Sequence, residues 1–472
     1  MQIEQIYTGC LSQGAYYIES QGEAAIIDPL RETAPYIHRA EKDGAKIKYI
    51  FETHFHADFV SGHIDLASKT GATIIYGPTA QPDFKAYIAK DNEEFIVGDL
   101  RIIVLHTPGH TMESICLLLK NADGKDIGLF SGDTLFIGDV GRPDLAQKIN
   151  SDLTQEKLAG HLYESLHHKI MPLADDIIVY PAHGSGSACG KNMSAERTDT
   201  LGHQKAVNYA LQPISKETFI KEVTTGLMPP PAYFPLNVMM NIHGYESIDN
   251  VLKNGLQSLT ADAFEEAANA TGAIILDTRD PEVFAQAFIP NAINIGLNGS
   301  FAPWVGTLVP DITQPILFIC DAGREAEVVI RLARVGYDHT IGFLEGGFNS
   351  WKIAGKETDN IPVINATALA EEIKTNKEAV IMDVRRSSEH MSEHLMDAIN
   401  IPLDYINDHL SEINKNTTYF VHCVGGYRSM IFSSILRSRG YTNLVNVTGG
   451  FKGIKESGLF TISNYVSPNT ML

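Results

Sequence analysis

Apolar and polar positions follow two different rhythms along this chain. Four times before residue 190 an apolar run stops abruptly at polar side chains able to bind metal. These runs are KYIF before ETHFHAD (48–58), IIVL before HTPGHT (102–111), IGLF before SGDT (127–134) and IIVY before PAHG (177–184). Runs of this length, bounded by glycine and proline, predict buried strands. His54, His56, Asp58, His110, Asp133 and His183 then fall on loops at strand ends, where a sheet collects scattered ligands into one site. Imidazoles with carboxylates suit zinc or non-haem iron, and a set without a thiolate argues against a structural zinc knuckle. A helical pattern follows from about 195 to 226 and breaks at MPPPAYFP (228–235), where prolines forbid regular structure; a second helical piece leads to Gly255.

Beyond Gly255 the chain repeats itself. AIILDTRDPEVFAQAFIPNAINI (273–295) answers AVIMDVRRSSEHMSEHLMDAINI (379–401), and FICDAGREAEVVIRLARVGY answers FVHCVGGYRSMIFSSILRSRGY. Each copy reads strand, helix, strand, cysteine loop, helix, strand, the alternation of a doubly wound parallel α/β unit. In the second copy a strand ends at Cys423, and a glycine-bearing loop with Arg428 leads into a helix. Backbone N–H groups at a helix start and a guanidinium both favour a thiolate, and the same cradle suits a sulfur anion. In the first copy Cys320 aligns with Cys423, but Glu325 stands where Arg428 does, with Asp321 and Glu327 nearby. Carboxylates there are expected to raise the thiol pKa and repel anions. This copy is read as structural, with Cys320 as a secondary sulfur acceptor in the alternative.

Length and composition narrow the picture. A chain of 472 residues predicts two to four domains. A formal charge of −20 without a basic block excludes a nucleic-acid or anionic-membrane surface. Five dispersed cysteines, Cys10, Cys116, Cys189, Cys320 and Cys423, make no disulfide framework and predict reduced thiols in a cytoplasmic setting. The N-terminus lacks a signal-peptide pattern, and no apolar stretch is long enough to span a bilayer.

The order of the strand-end clusters resembles the metallo-β-lactamase superfamily, whose signature THxHxDH is written here Thr53-His54-Phe55-His56-Ala57-Asp58-Phe59. The resemblance covers roughly residues 1 to 245. Two-metal hydrolases of that family use the last histidine of the signature for a second metal. Phe59 cannot coordinate, so a single ion is expected, with Asp58 and His183 as its polar neighbours. DVR (383–385), AINIP (398–402), the CxxGxRS loop (423–429) and TGGF (448–451) resemble the rhodanese family of sulfurtransferases. That resemblance implies that Cys423 carries a persulfide and Arg428 stabilises anions.

Together these resemblances imply an α/β architecture, a metallo-β-lactamase αββα sandwich followed by two rhodanese-like doubly wound domains. The expected boundaries are 1–245, 256–358 for a degenerate rhodanese-like domain, and 362–472 for an active one. The whole is similar to fusions of a persulfide dioxygenase with rhodanese. In such dioxygenases one Fe(II) per chain is held by residues matching His54, His110 and Asp133, and the vacant positions of that facial set serve thiol persulfide and dioxygen. Sulfite and free thiol are the implied products. Sulfite then takes the outer sulfur from a Cys423 persulfide to give thiosulfate, or the reverse reaction supplies persulfide. His56, Asp58 and His183 are expected to orient ligands or substrate, with direct binding by His56 as the alternative. Cys189 is a second possible sulfur acceptor, Arg142 a salt-bridge former, and His63, His167 and His168 solvated or capping residues. Glutathione, coenzyme A and bacillithiol all remain open as the thiol, and a homodimer or homotetramer is expected. Two rivals stand beside this reading: a zinc thioester hydrolase of the hydroxyacylglutathione hydrolase type, and a persulfide-sensing scaffold with a structural metal.

Overall fold

The four apolar runs become strands because both faces of the sheets they enter are covered. The computed structural model describes residues 1–145, 153–376 and 378–467. A first sheet runs in chain order through β1 (Gln2–Thr8), β2 (Gln13–Ser20), β3 (Glu23–Ile27), β4 (Lys46–Phe51), β5 (Thr73–Tyr76) and β6 (Tyr87–Ile88). A second holds β7 (Glu94–Val97), β8 (Leu100–His106), β9 (Ile115–Lys120), β10 (Asp126–Gly132), β11 (Ile178–Pro181) and β12 (Asp199–Thr200), also laid edge to edge in chain order. Alternate residues of β8 and β9 face opposite ways. Ile102, Val104, Leu117 and Leu119 meet Phe51 and Ile75 of the first sheet. Cys116 and Leu118 meet Leu162, Phe219 and Val223 on helices Gln155–Ser165 and Lys216–Thr224. Helices Ala34–Lys42 and His63–Thr70 pack on β4 of the first sheet, completing the αββα layering. A strand buried on both faces carries no polar alternation, which is why the sequence shows continuous runs.

The stretch from 195 to 226 is not one helix. Asp199–Thr200 is a strand, and helices Leu201–Val207 and Lys216–Thr224 are separated around Pro213, which has no N–H to continue a helix. Each helix has its own side-chain cap, Thr200 accepting from the His203 N–H and Ser215 from the Thr218 N–H. The proline cluster ends sooner than the sequence suggests: helix Phe234–His243 takes Pro235 into its first turn, where a missing N–H costs nothing.

Residues Met1–Asn250 and Leu332–Tyr337 form one compact unit; Val251–Arg331 and the chain from Asp338 onward form the other. The second unit contains two five-stranded parallel sheets of identical order. In the first repeat, β13 (Ser258–Leu259), β14 (Ile274–Asp277), β15 (Ile293–Asn294), β16 (Ile316–Ile319) and β17 (Thr340–Leu344) are ordered β13-β17-β16-β14-β15. In the second, β18 (Val363–Ile364), β19 (Val380–Asp383), β20 (Ile399–Asn400), β21 (Tyr419–His422) and β22 (Leu444–Val447) are ordered β18-β22-β21-β19-β20. The repeat extends to side chains. Arg279 grips Asp277 and lies 4.1 Å over the Phe348 ring, while Arg385 grips Asp383 and lies 4.0 Å over Phe451. Of the expected last domain, residues 377 and 468–472 lie outside the described residues. No helix among the described residues is long and apolar enough to cross a membrane.

Candidate metal centre and thiol loops

Three of the four strand-end loops bring a side chain able to bind metal to one buried point. His54 follows β4, His110 follows β8, Asp133 follows β10, and ligand atoms of the three lie within 4.8 Å of one another. All three side chains are almost fully buried. Asp133 Oδ2 is 3.5 Å from His110 Nε2 and 3.9 Å from His54 Nε2. The remaining atom of each group is occupied. His110 Nδ1 donates to the Arg142 carbonyl at 2.8 Å, His54 Nδ1 is 3.0 Å from Thr53 Oγ1, and Asp133 Oδ1 accepts from His183 Nδ1 at 2.8 Å. His54 Nε2 and Asp133 Oδ2 are left without a hydrogen-bond partner. Buried polar atoms left open while their neighbours are anchored are what a metal-ligand set requires, so the donor set fits a metal. Burial, then His56, drives the His54 pKa well below its usual value, keeping the imidazole in its neutral, ligating form. Burial alone would raise Asp133, but His183, His54 and His110 hold its carboxyl far below the usual range. Gly132 sets the turn before Asp133: its φ is +51°, and a Cβ there would come within 2.8 Å of the Thr53 side chain.

His56 lies in a different cluster. Its Nε2 is 3.0 Å from Asp28 Oδ1 and 3.6 Å from Glu52 Oε2, and these three form a second buried group. Asp28 also accepts from the Thr53 N–H at 2.7 Å, bracing the His54 loop from below. Sequence reasoning missed Asp28 and Glu52, although AAIIDP (24–29) shows the same apolar run ending on a carboxylate. His63, expected to be a solvated or capping residue, stands at a helix start but is fully buried: Nδ1 is 3.4 Å from Glu52 Oε1, and burial lowers its pKa to about 3. It opens helix His63–Thr70 on the inward side, a direction that a lone histidine in sequence does not announce. His167 is half-buried and stacked on Tyr163, and His168 is exposed.

Asp58 and His183 do lie beside the trio, with His183 Nε2 2.8 Å from Asp58 Oδ2. Cys189, one of the possible sulfur acceptors, brings its thiol to Asp58 and His183 in a third buried group. Burial, with Asp58 and Asp133, raises the Cys189 pKa well above that of an ordinary thiol. Phe59 is fully buried, its ring 4.3 Å from His56 and 6.5 Å from His183. Arg142 is an ion-pair former, as expected, with Nε 2.6 Å from Asp144 Oδ1; its carbonyl is what orients His110.

In the second unit, β21 ends one residue before Cys423, whose Sγ accepts from the Gly426 N–H at 3.2 Å at the start of helix Tyr427–Ser438. Arg428, expected to stabilise anions, is paired with a carboxylate. Its two Nη atoms bond Glu389 at 2.6 and 2.8 Å, so a carboxylate offsets its charge beside the thiol. Cys320 behaves as its sequence suggests, since burial, then Glu325 and Asp321, push its pKa up to about 12.

Comparison with known proteins matches both halves. A family model described as metallo-beta-lactamase superfamily matches residues 8–183, and one described as rhodanese-like domain matches 260–354 and 365–457. A solved structure of a metallo-beta-lactamase from Staphylococcus aureus subsp. aureus COL is 32% identical with a TM-score of 0.63, covering 73% of this chain and 98% of that one. A structure of ETHE1 from Myxococcus xanthus is 27% identical with a TM-score of 0.44, covering 51% of this chain and 98% of that one. Hydroxyacylglutathione hydrolase from Tolumonas auensis is 34% identical over 172 residues, 36% of this chain and 60% of that protein. The chain thus spans about three fifths of that curated relative's length.

Proposed function

The chain belongs to the metallo-beta-lactamase superfamily and carries two rhodanese-like domains, and from that premise we propose that it is an iron-dependent persulfide dioxygenase coupled to a sulfurtransferase. The supporting observation is the trio His54, His110 and Asp133, a set of two imidazoles and one carboxylate with open atoms converging, beside a buried Phe59 where the two-metal signature has histidine. Iron(II) held there would supply the redox chemistry that combines a thiol persulfide with dioxygen to give sulfite and thiol. The protein's own groups fix the site. The Arg142 carbonyl holds the His110 tautomer, and His183 holds Asp133 so that one oxygen faces inward. The rings of Phe59 and Phe136 flank His183 and exclude water from that side.

At Cys423 the thiolate takes the sulfane sulfur of thiosulfate: a new S–S bond forms at Sγ, and the old one breaks with its electron pair leaving on sulfite. The Gly426 N–H stabilises the sulfur anion. The reverse transfer, from a Cys423 persulfide to sulfite, uses the same groups. The expected cellular partners are a low-molecular-weight thiol persulfide, dioxygen and sulfite or thiosulfate.

A zinc thioester hydrolase is the second reading. It is favoured by curated relatives such as the Tolumonas auensis hydrolase and by the Asp58, His183 and Cys189 group, which offers donors for another ion. Metal analysis of protein purified under nitrogen, combined with oxygen-electrode turnover on glutathione, coenzyme A and bacillithiol persulfides, separates the two. Iron with persulfide-dependent oxygen uptake is expected. Zinc, thioester turnover and no oxygen uptake would overturn the dioxygenase.

A further inference from the structure

We propose that the first rhodanese-like repeat selects the thiol that exchanges sulfur at Cys423, Trp304 seating the carbon body of an organic thiol and Arg386 binding its anionic group. The inference rests on the reading of Cys423 as a sulfur-transfer residue, and it gives the first repeat a role besides the structural one.

Three observations carry it. The first is size. Cys423 opens into a pocket of about 470 Å³ whose wall includes Ser300 and Trp304 of the first repeat, with Arg386, Glu389 and Arg428 of the second. Pockets for organic ligands occupy roughly 300–1,000 Å³, whereas sulfite or thiosulfate fills only a corner of such a space.

The second is placement. Helix Phe301–Leu308 buries Phe301, Ala302 and Val305 and leaves Trp304 half-buried at the pocket. The helix is held in register by the loop before it. Tyr427 donates to the Gly296 carbonyl at 2.7 Å, and a Cβ at Gly299 would lie 2.4 Å from the Tyr427 ring, so only glycine lets the two repeats close to this distance. Arg437 bridges to Asp359 at 2.6 and 2.7 Å, and the Asn294 N–H donates to Ser434 Oγ at 3.0 Å. An indole on a wall fixed this firmly is a rigid apolar platform.

The third is charge. Of the two guanidinium groups on the wall, Arg428 is committed to Glu389 through two bonds. Arg386 is 63% exposed, with its Nε 3.6 Å from Asp404 Oδ1, beyond hydrogen-bond distance. A planar, exposed guanidinium suits bidentate recognition of a carboxylate or phosphate oxygen pair.

In the selected step the acceptor thiolate attacks the outer sulfur of the Cys423 persulfide. A new S–S bond forms as the Sγ–S bond breaks, and the electron pair returns to Sγ. The transferred sulfur keeps its negative charge, the proton of the acceptor thiol has gone to solvent beforehand, and nothing is oxidised overall.

The test uses the full chain, charged with thiosulfate and offered four acceptors: glutathione (carboxylates), coenzyme A (phosphates), cysteamine (no anionic group) and cyanide (no carbon body beyond one atom). Arg386→Ala should raise KM for the anionic thiols about tenfold relative to cysteamine, in keeping with the loss of one charged hydrogen-bonded contact. Arg386→Lys should recover part of that loss. Which anionic thiol shows the effect tells carboxylate from phosphate recognition. Trp304→Ala should raise KM for all three organic thiols relative to cyanide. Equal changes across the four acceptors, or none, would overturn the proposal. Cyanide turnover that survives Cys423→Ser would instead bring down the sulfur-transfer reading, and this inference with it.

Discussion

At Phe59 one side chain is expected to decide how many ions the first unit holds. The ring is fully buried between His56 and His183, and a histidine of similar volume there would add an imidazole beside Asp58 and His183. Phe59→His is therefore expected to raise bound metal from about one to about two ions per chain, read by mass spectrometry of purified protein. His110 and Cys423 belong to different units, so their losses should separate. His110→Ala should stop persulfide-dependent oxygen uptake, while Cys423→Ser should stop thiosulfate formation and leave oxygen uptake running. Cys320 offers a pH measurement. Its pKa is raised to about 12, so only on the order of 0.1% is thiolate at pH 9. Alkylation of the Cys320 peptide, followed by mass spectrometry, should keep accelerating through pH 10 without a plateau. A plateau near pH 8.5 would show that burial and its two carboxylates do not govern this thiol.

Between the two repeats the same element carries opposite electrostatics. Asp277 and Asp383 each end a strand and each bind an arginine two residues on. Burial raises Asp277 above its usual value, outweighing Arg279. At Asp383 burial acts the same way, but hydrogen bonds from His390 and Arg385 reverse it and hold the carboxyl below the usual range. His390 sits 2.9 Å from Asp383, and the matching position of the first repeat is Phe284. Because the folded pKa of Asp383 is depressed, its pairing stabilises the fold above the unfolded value near 3.9 and loses that contribution as pH falls toward the folded value. Arg385→Ala leaves a buried carboxylate short of its main partner and should cost about 3–5 kcal/mol at pH 7. In denaturant titrations the gap between this variant and the unaltered chain should shrink below about pH 4. A gap that stays constant down to pH 2.5 would contradict this account.

Across the whole molecule the metal trio and the thiol loop occupy separate compact units. Stripping metal with a chelator should abolish oxygen uptake while thiosulfate-to-cyanide transfer at Cys423 continues; loss of both together would show that the metal supports the second unit as well. The local features were legible in sequence because each is written in consecutive residues. The apolar runs, the ligands at their ends, the repeat and the cysteine loops all follow from periodicity and turn chemistry. What was not legible depends on partners far apart in the chain. His56 turns to Asp28, Glu389 captures Arg428, and Trp304 reaches the pocket of a cysteine in the next repeat. The sequence alone determined which side chains stand at strand ends, since alternation and strand length are local properties of the backbone. Only the tertiary structure decided which of them face one another, because packing two sheets, or two repeats, sets distances that no local pattern encodes.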